Sequence, residues 1–148
     1  MKTLIAVVGG SAPSEETAAL AEQVGRRIAE RGAVLVCGGL GGVMEAAARG
    51  AKSAGGLTLG ILPGYDPASA NPYIDLPICT GMGHARNAII AATARALIAL
   101  EGSHGTLSEI ALGLKLGRRV IALGRRESPA GVLLAGSAEE AVRLALHG

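Results

Sequence analysis

The chain has 148 residues and a formal net charge of +2, enough length for one domain with its own core and too little charge to argue for polyanion or membrane-surface binding. Its 49% hydrophobic content includes no Phe or Trp and only Tyr65 and Tyr73, so the core is aliphatic and there is almost nothing to offer as the stacking platforms of single-stranded nucleic-acid binders. The longest uncharged runs, residues 32–44 and 53–65, are 13 residues each, short of the roughly 18 that span a bilayer.

The aliphatic run Leu4–Val8 reads as a strand buried on both faces rather than as a leader, because it flows at once into Gly9-Gly10-Ser11. Ser14 with Glu15 and Glu16 suits a helix start, and that helix is expected to run to about residue 31 and stop at Gly32. Residues 33–37 repeat the strand, the glycine turn 38–42 follows, and a helix is expected over 43–54. Residues 57–62 form a third strand, 63–72 an irregular excursion, and 74–80 a short strand whose Pro77 points to an edge or a bulge. Helix 85–95, strand 96–100, helix 106–116, strand 119–123 and helix 137–146 complete the chain.

Alternation of this kind predicts a single Rossmann-like domain over 1–148, a doubly wound parallel sheet with helices on both faces. Strand-to-helix turns of such a sheet lie along one edge, and ligands bind there. The groups offered at that edge are Gly9, Gly10 and Ser11, then Gly38, Gly39, Gly41 and Gly42, then Met82, and finally Gly102, Ser103, Gly105 and Thr106. Glycines that let backbone amides approach, placed where strand becomes helix, suit a phosphate. Spaced dinucleotide fingerprints and the Gly-Lys-Ser/Thr ending of a P-loop are both missing.

Arg86 and Glu109 are the charged candidates for the site. A cation at a helix start opposes the dipole, so Arg86 calls for an anion, either a ligand phosphate or Glu109. Thr106 and Glu109 also fit a capping box, a spacing repeated at Ser137 and Glu140, so the spacing alone leaves capping and chemistry open. Cys37, Cys79, His84 and His104 show no metal-ligand spacing. Lys2, Lys52 and Lys115 fall away from the ligand edge, which disfavours a pyridoxal-phosphate Schiff base. The helices 85–95 and 106–116 are apolar on more than one face and predict a homodimer or homotetramer built on them.

Gly9-Gly10-Ser11, the stretch from Gly38 through Val43 to Ala47, Gly60-Ile61-Leu62-Pro63, Arg86 and Gly105-Thr106-Leu107-Ser108-Glu109 resemble the family long labelled "possible lysine decarboxylase". That family contains the LOG cytokinin-activating phosphoribohydrolases and the molybdenum cofactor carrier proteins. The resemblance implies that Arg86 and Glu109 correspond to the catalytic pair of the LOG enzymes. Three positions depart from the family pattern: Glu101 stands for its proline, Ser103 for its second glycine and Asn87 for the lysine beside the arginine. The short length, Gly-Ile-Leu-Pro and Arg86-Asn87 resemble the carrier branch more closely. The expectation is therefore a soluble, cytoplasmic protein that binds a phosphorylated, nucleotide-like ligand such as the molybdenum cofactor. The alternative is cleavage of the N-glycosidic bond of a nucleoside 5′-monophosphate, and whether the site catalyses anything is left open. Glu101 would repel a phosphate unless protonated, paired or turned away.

Overall fold

The structure is a computed structural model that describes residues 1–147. Seven strands, β1 (Leu4–Val8), β2 (Val34–Cys37), β3 (Thr58–Leu62), β4 (Leu76–Cys79), β5 (Ala96–Ala99), β6 (Arg119–Leu123) and β7 (Leu133–Ala135), form one sheet in the order β4-β3-β2-β1-β5-β6-β7. Every neighbouring pair is parallel. The helices are α1 (Glu15–Glu30), α2 (Val43–Ser53), α3 (Asn87–Thr93), α4 (His104–Lys115) and α5 (Ala138–His147).

Side chains alternate along the central strands, and each face of the sheet acquires its own aliphatic layer. Ile5 and Val7 of β1 pack with Val24 and Ile28 of α1, Ala47 of α2 and Val142 of α5. Ala6 and Val8 pack with Ile90 of α3 and Ile110 of α4 on the other face. No aromatic residue is buried in either core, Tyr73 packing only against the outside of the first, so close approach of backbones does part of the filling. At the α1–α2 crossing, a methyl group on Gly25 would collide with the Ala47 carbonyl, and one on Gly50 with the Glu22 carbonyl.

Ser14 caps α1 as expected, its side chain accepting the Thr17 amide. Pro77 lies in β4, at the edge of the sheet. Other expectations need correction. Helix 85–95 is a 3₁₀ turn over Gly83–Arg86 followed by a short α3, so Arg86 ends one element rather than opening a long helix. Helix 106–116 begins two residues earlier, at His104. Residues 133–135 form β7, a strand absent from the sequence reading. Within the excursion, Asn71 donates its amide group to the Leu40 carbonyl at 2.9 Å and braces the glycine turn. Among the described residues, no helix is long and apolar enough to cross a membrane.

The chain travels outward from β1 to β4 and then returns to the other side of β1 as β5. The turns after β1 and β5 therefore face each other at the switch point of the topology, where doubly wound sheets bind ligands. Gly10 N–H donates to the Glu101 carbonyl across that point at 2.9 Å.

Gly25→Ala and Gly50→Ala are expected to lower stability by about 2–3 kcal/mol through overpacking, although helix propensity alone favours alanine by roughly 1 kcal/mol. The urea unfolding midpoint measures this, and an unchanged or raised midpoint would contradict the crossing described.

Candidate functional site

A cleft of about 280 Å³ opens at the C-terminal edge of the sheet. It gathers eight of the residues expected from the sequence: Gly9, Gly10 and Ser11 after β1, Arg86 before α3, and Ser103, Gly105, Thr106 and Glu109 at the start of α4. The other six lie elsewhere. Gly38 sits behind the cleft wall, where a methyl group would stand 2.6 Å from Nη2 of Arg86 and 2.7 Å from the Met44 sulfur. Gly39, with φ +78°, packs on Leu62, and Gly42, with φ +72°, packs on Gly10 and Ser11. Gly41 faces open space, and Met82 is exposed outside the cleft. Gly102 lies beneath Thr106 and lines a neighbouring groove. Most of the glycine turn 38–42 thus shapes the wall instead of presenting amides to the cleft.

Val8, Leu40, Met44, His84 and Asn87 also line the cleft. Sequence reasoning assigned none of them a binding role. Leu40 is the one side chain within the glycine turn, and His84 and Asn87 flank Arg86 in the same turn; those positions were the available signal.

Arg86 is 7% exposed. Its Nε donates to the Ile61 carbonyl at 2.9 Å, Nη1 to Oδ1 of Asn87 and Nη2 to the Gly38 carbonyl at 3.5 Å. Asn87 in turn donates to Ser108 Oγ of α4 at 3.5 Å. All three acceptors are uncharged, and among the described residues no carboxylate lies within 4.0 Å of the guanidinium. Burial lowers the Arg86 pKa, while the charges of Glu109 and Cys37 raise it. A guanidinium has five N–H groups and three are used here, so a buried cation keeps donors for an anion.

Glu109 is 8% exposed and faces the same cleft. It is not a capping residue. α4 starts at His104 with Ser103 at its N-cap, so Thr106 is the third helical residue and Glu109 lies more than a turn inside. The same spacing at α5 does cap: Ser137 Oγ accepts the Glu140 amide at 3.1 Å, and Glu140 accepts the Gly136 amide at 2.7 Å. Burial pushes the Glu109 carboxyl up from its ordinary 4.5 to about 7, against the pull of the Arg86 charge.

The helix ends differ in a way that separates this edge from ordinary packing. Ser14 caps α1 with its side chain and the first amide of α2, on Val43, donates to the Gly10 carbonyl at 3.0 Å, whereas Ser103 makes no side-chain cap to α4. The Leu107 amide is taken by the Ser103 carbonyl, so the amides of His104, Gly105 and Thr106 have no acceptor within the helix. They carry the positive end of the α4 dipole to the cleft.

Glu101 is turned away from this cleft. Its Oε1 accepts the Arg126 amide at 2.7 Å, and the residue lines the neighbouring groove. Cys37 lies buried beneath the cleft, its sulfur accepting the Gly39 amide at 3.4 Å, and burial pushes its thiol up to about 11. Among the described residues, no three His, Cys, Asp or Glu side chains are grouped to hold a metal ion.

Comparison with known proteins places this edge in context. Residues 2–145 match the SLOG cluster4 family. An uncharacterized protein of Archaeoglobus fulgidus is 53% identical over 119 residues, 80% of this chain and 78% of that one. The molybdenum cofactor binding protein of Rippkaea orientalis is 39% identical, with a TM-score of 0.92 over 97% of this chain and 95% of that one. The molybdenum cofactor carrier protein of Chlamydomonas reinhardtii is 35% identical, with a TM-score of 0.86 over 95% of this chain and 94% of that one.

The raised Glu109 pKa makes stability depend on pH. The folded state holds a proton that the unfolded state has lost between pH 4.5 and about 7, so the carboxyl costs nothing below that window and its full penalty above it. Glu109→Gln is expected to stabilise the protein at pH 8, by up to about 3 kcal/mol, and to leave it nearly unchanged at pH 4.5. Thermal unfolding at the two pH values tests this; equal shifts at both would contradict it.

Proposed function

The chain belongs to the SLOG cluster4 family, and we propose that within it this protein binds the molybdenum cofactor, a pterin carrying a terminal phosphate, as a cytoplasmic carrier. One observation bears most of the weight: Arg86, buried beside the cleft, is hydrogen-bonded only to uncharged acceptors. Such a cation is costly unless an anion joins it. The amides of His104, Gly105 and Thr106 and the hydroxyls of Ser103 and Thr106 supply further donors for a phosphate. Leu40 and Met44 give the opposite wall an apolar surface suited to a planar ring. The likeness to cofactor-binding and carrier proteins supports this ligand among phosphorylated compounds.

A second reading rests on Glu109. A buried carboxyl with a raised pKa that shares a cleft with an arginine is an arrangement found at catalytic centres. Ionised, it would stabilise positive charge on a ribose while orienting water, the chemistry of a nucleoside monophosphate phosphoribohydrolase. The carrier reading instead has Glu109 protonated when the phosphate is bound, since two anions would otherwise crowd one cation.

Titration calorimetry with the molybdenum cofactor separates the readings. Binding is expected, together with no release of adenine from adenosine monophosphate. Adenine release abolished by Glu109→Gln would overturn the carrier reading. Gly105 has no heavy atom near the position of a Cβ, so Gly105→Asp should fold normally. The new carboxylate is expected to weaken cofactor binding by at least about tenfold, the scale of a lost charge-assisted hydrogen bond.

We also propose that the carrier self-associates through the outer faces of α3 and α4, where Leu107 is 44% exposed. Leu107→Glu is expected to convert a dimer or tetramer to monomers in sedimentation velocity. A wild-type monomer would contradict the proposal.

A further inference from the structure

A second groove, of about 470 Å³, lies at the same sheet edge on the far side of the β1–β5 switch point. It is lined by the start of α1, by Glu101 and Gly102 after β5, and by Gly124 and Arg126 after β6. Gly10 lines both hollows. The ridge between them is formed by Gly10 and Gly102: a methyl group on Gly10 would stand 3.3 Å from Cα of Gly102, and the Thr106 side chain lies over Gly102, its Oγ1 overlapping the position of a Gly102 Cβ. Two neighbouring hollows at one sheet edge thus meet at Gly10 and Gly102, with Thr106 over the second glycine. In doubly wound folds this crevice is where two-part ligands lie, one part on each side.

We propose that the binding site continues over the Gly10–Gly102 ridge and accepts a dinucleotide form of the ligand, in which a nucleoside monophosphate is joined to the terminal phosphate. The inference rests on the carrier reading and extends it. The first phosphate sits with Arg86 and the α4 amides, and the pyrophosphate crosses at Gly10 and Gly102, whose lack of side chains leaves it room while the Gly10 amide stays bonded to the Glu101 carbonyl. The nucleoside then occupies the second groove.

The chemistry of that groove fits a sugar better than a second phosphate cradle. At the N-terminus of α1 the Ser14 side chain already accepts the Thr17 amide, and Glu15 and Glu16 in the first turn disfavour a further anion. Glu16 and Glu101 line the groove, and carboxylates accept hydrogen bonds from ribose hydroxyls, as they do in other dinucleotide folds. Leu20 supplies an apolar surface. Arg126 is the one cation among the lining residues and is the proposed partner of the pyrophosphate. Glu101 holds the Arg126 backbone amide, so the residue that departs from the family pattern positions the far wall of the groove.

Calorimetry with two probes, the molybdenum cofactor and its dinucleotide form, tests this. The dinucleotide is expected to bind at least about tenfold more tightly, because its second half binds at high effective concentration. Ala12 lines only the second groove and is exposed. Ala12→Trp, which fills that groove, should reduce the affinity for the dinucleotide to that for the cofactor alone and leave the latter unchanged. Arg126→Ala should weaken the dinucleotide several-fold. If both probes bind with equal affinity to the wild type, the extension is wrong and the carrier reading stands. If neither binds, both fall together.

Discussion

A guanidinium withdrawn from water and given only uncharged acceptors is the constraint on which this edge of the molecule depends. Arg86 can lie where it does because β3 ends with the Ile61 carbonyl aimed at Nε and because Gly38 carries no side chain where Nη2 passes. Asn87 completes the arrangement by accepting from Nη1 while donating to Ser108, which couples the turn before α3 to α4. Replacing any of these supports with a larger or apolar group would leave a buried charge without its partners, the costly outcome for an ion in a low-dielectric interior.

The same economy governs the helix ends. α1 and α5 each have one first-turn amide, that of Thr17 and that of Glu140, accepted by a capping serine. α4 leaves them unsatisfied where they meet the cleft with Arg86. Free amides, a helix dipole and a buried cation all favour negative charge at one place. Glu109 is the one carboxylate in the cleft, and it is held toward its neutral form by burial. The cleft therefore has the electrostatics of a receptor for an anion that brings its own charge.

Much of the fold was legible in the residues. Uninterrupted aliphatic runs followed by glycine turns mark strands buried on both faces, and Pro77 marks an edge. β7 was not legible, because Leu133–Ala135 is only three residues long and lies half-exposed at the far edge, where no two-sided burial imposes a pattern. The site was legible as a meeting of turns, and eight of its expected residues do meet. The roles of the glycines in 38–42 were not. A glycine that makes room for an arginine and one that presents an amide look alike in sequence. Nor could spacing distinguish Thr106 and Glu109 from Ser137 and Glu140: which residue starts each helix decides that, and α4 starts at His104, ahead of Thr106.

The central claim is that phosphate recognition falls to Arg86 together with the first amides of α4. The most direct measurement is a crystal structure of the protein with the molybdenum cofactor bound. The account predicts the terminal phosphate within hydrogen-bond distance of Arg86 and of the amides of His104, Gly105 and Thr106. A phosphate lying elsewhere on the molecule, with Arg86 still bonded only to Ile61, Asn87 and Gly38, would contradict it.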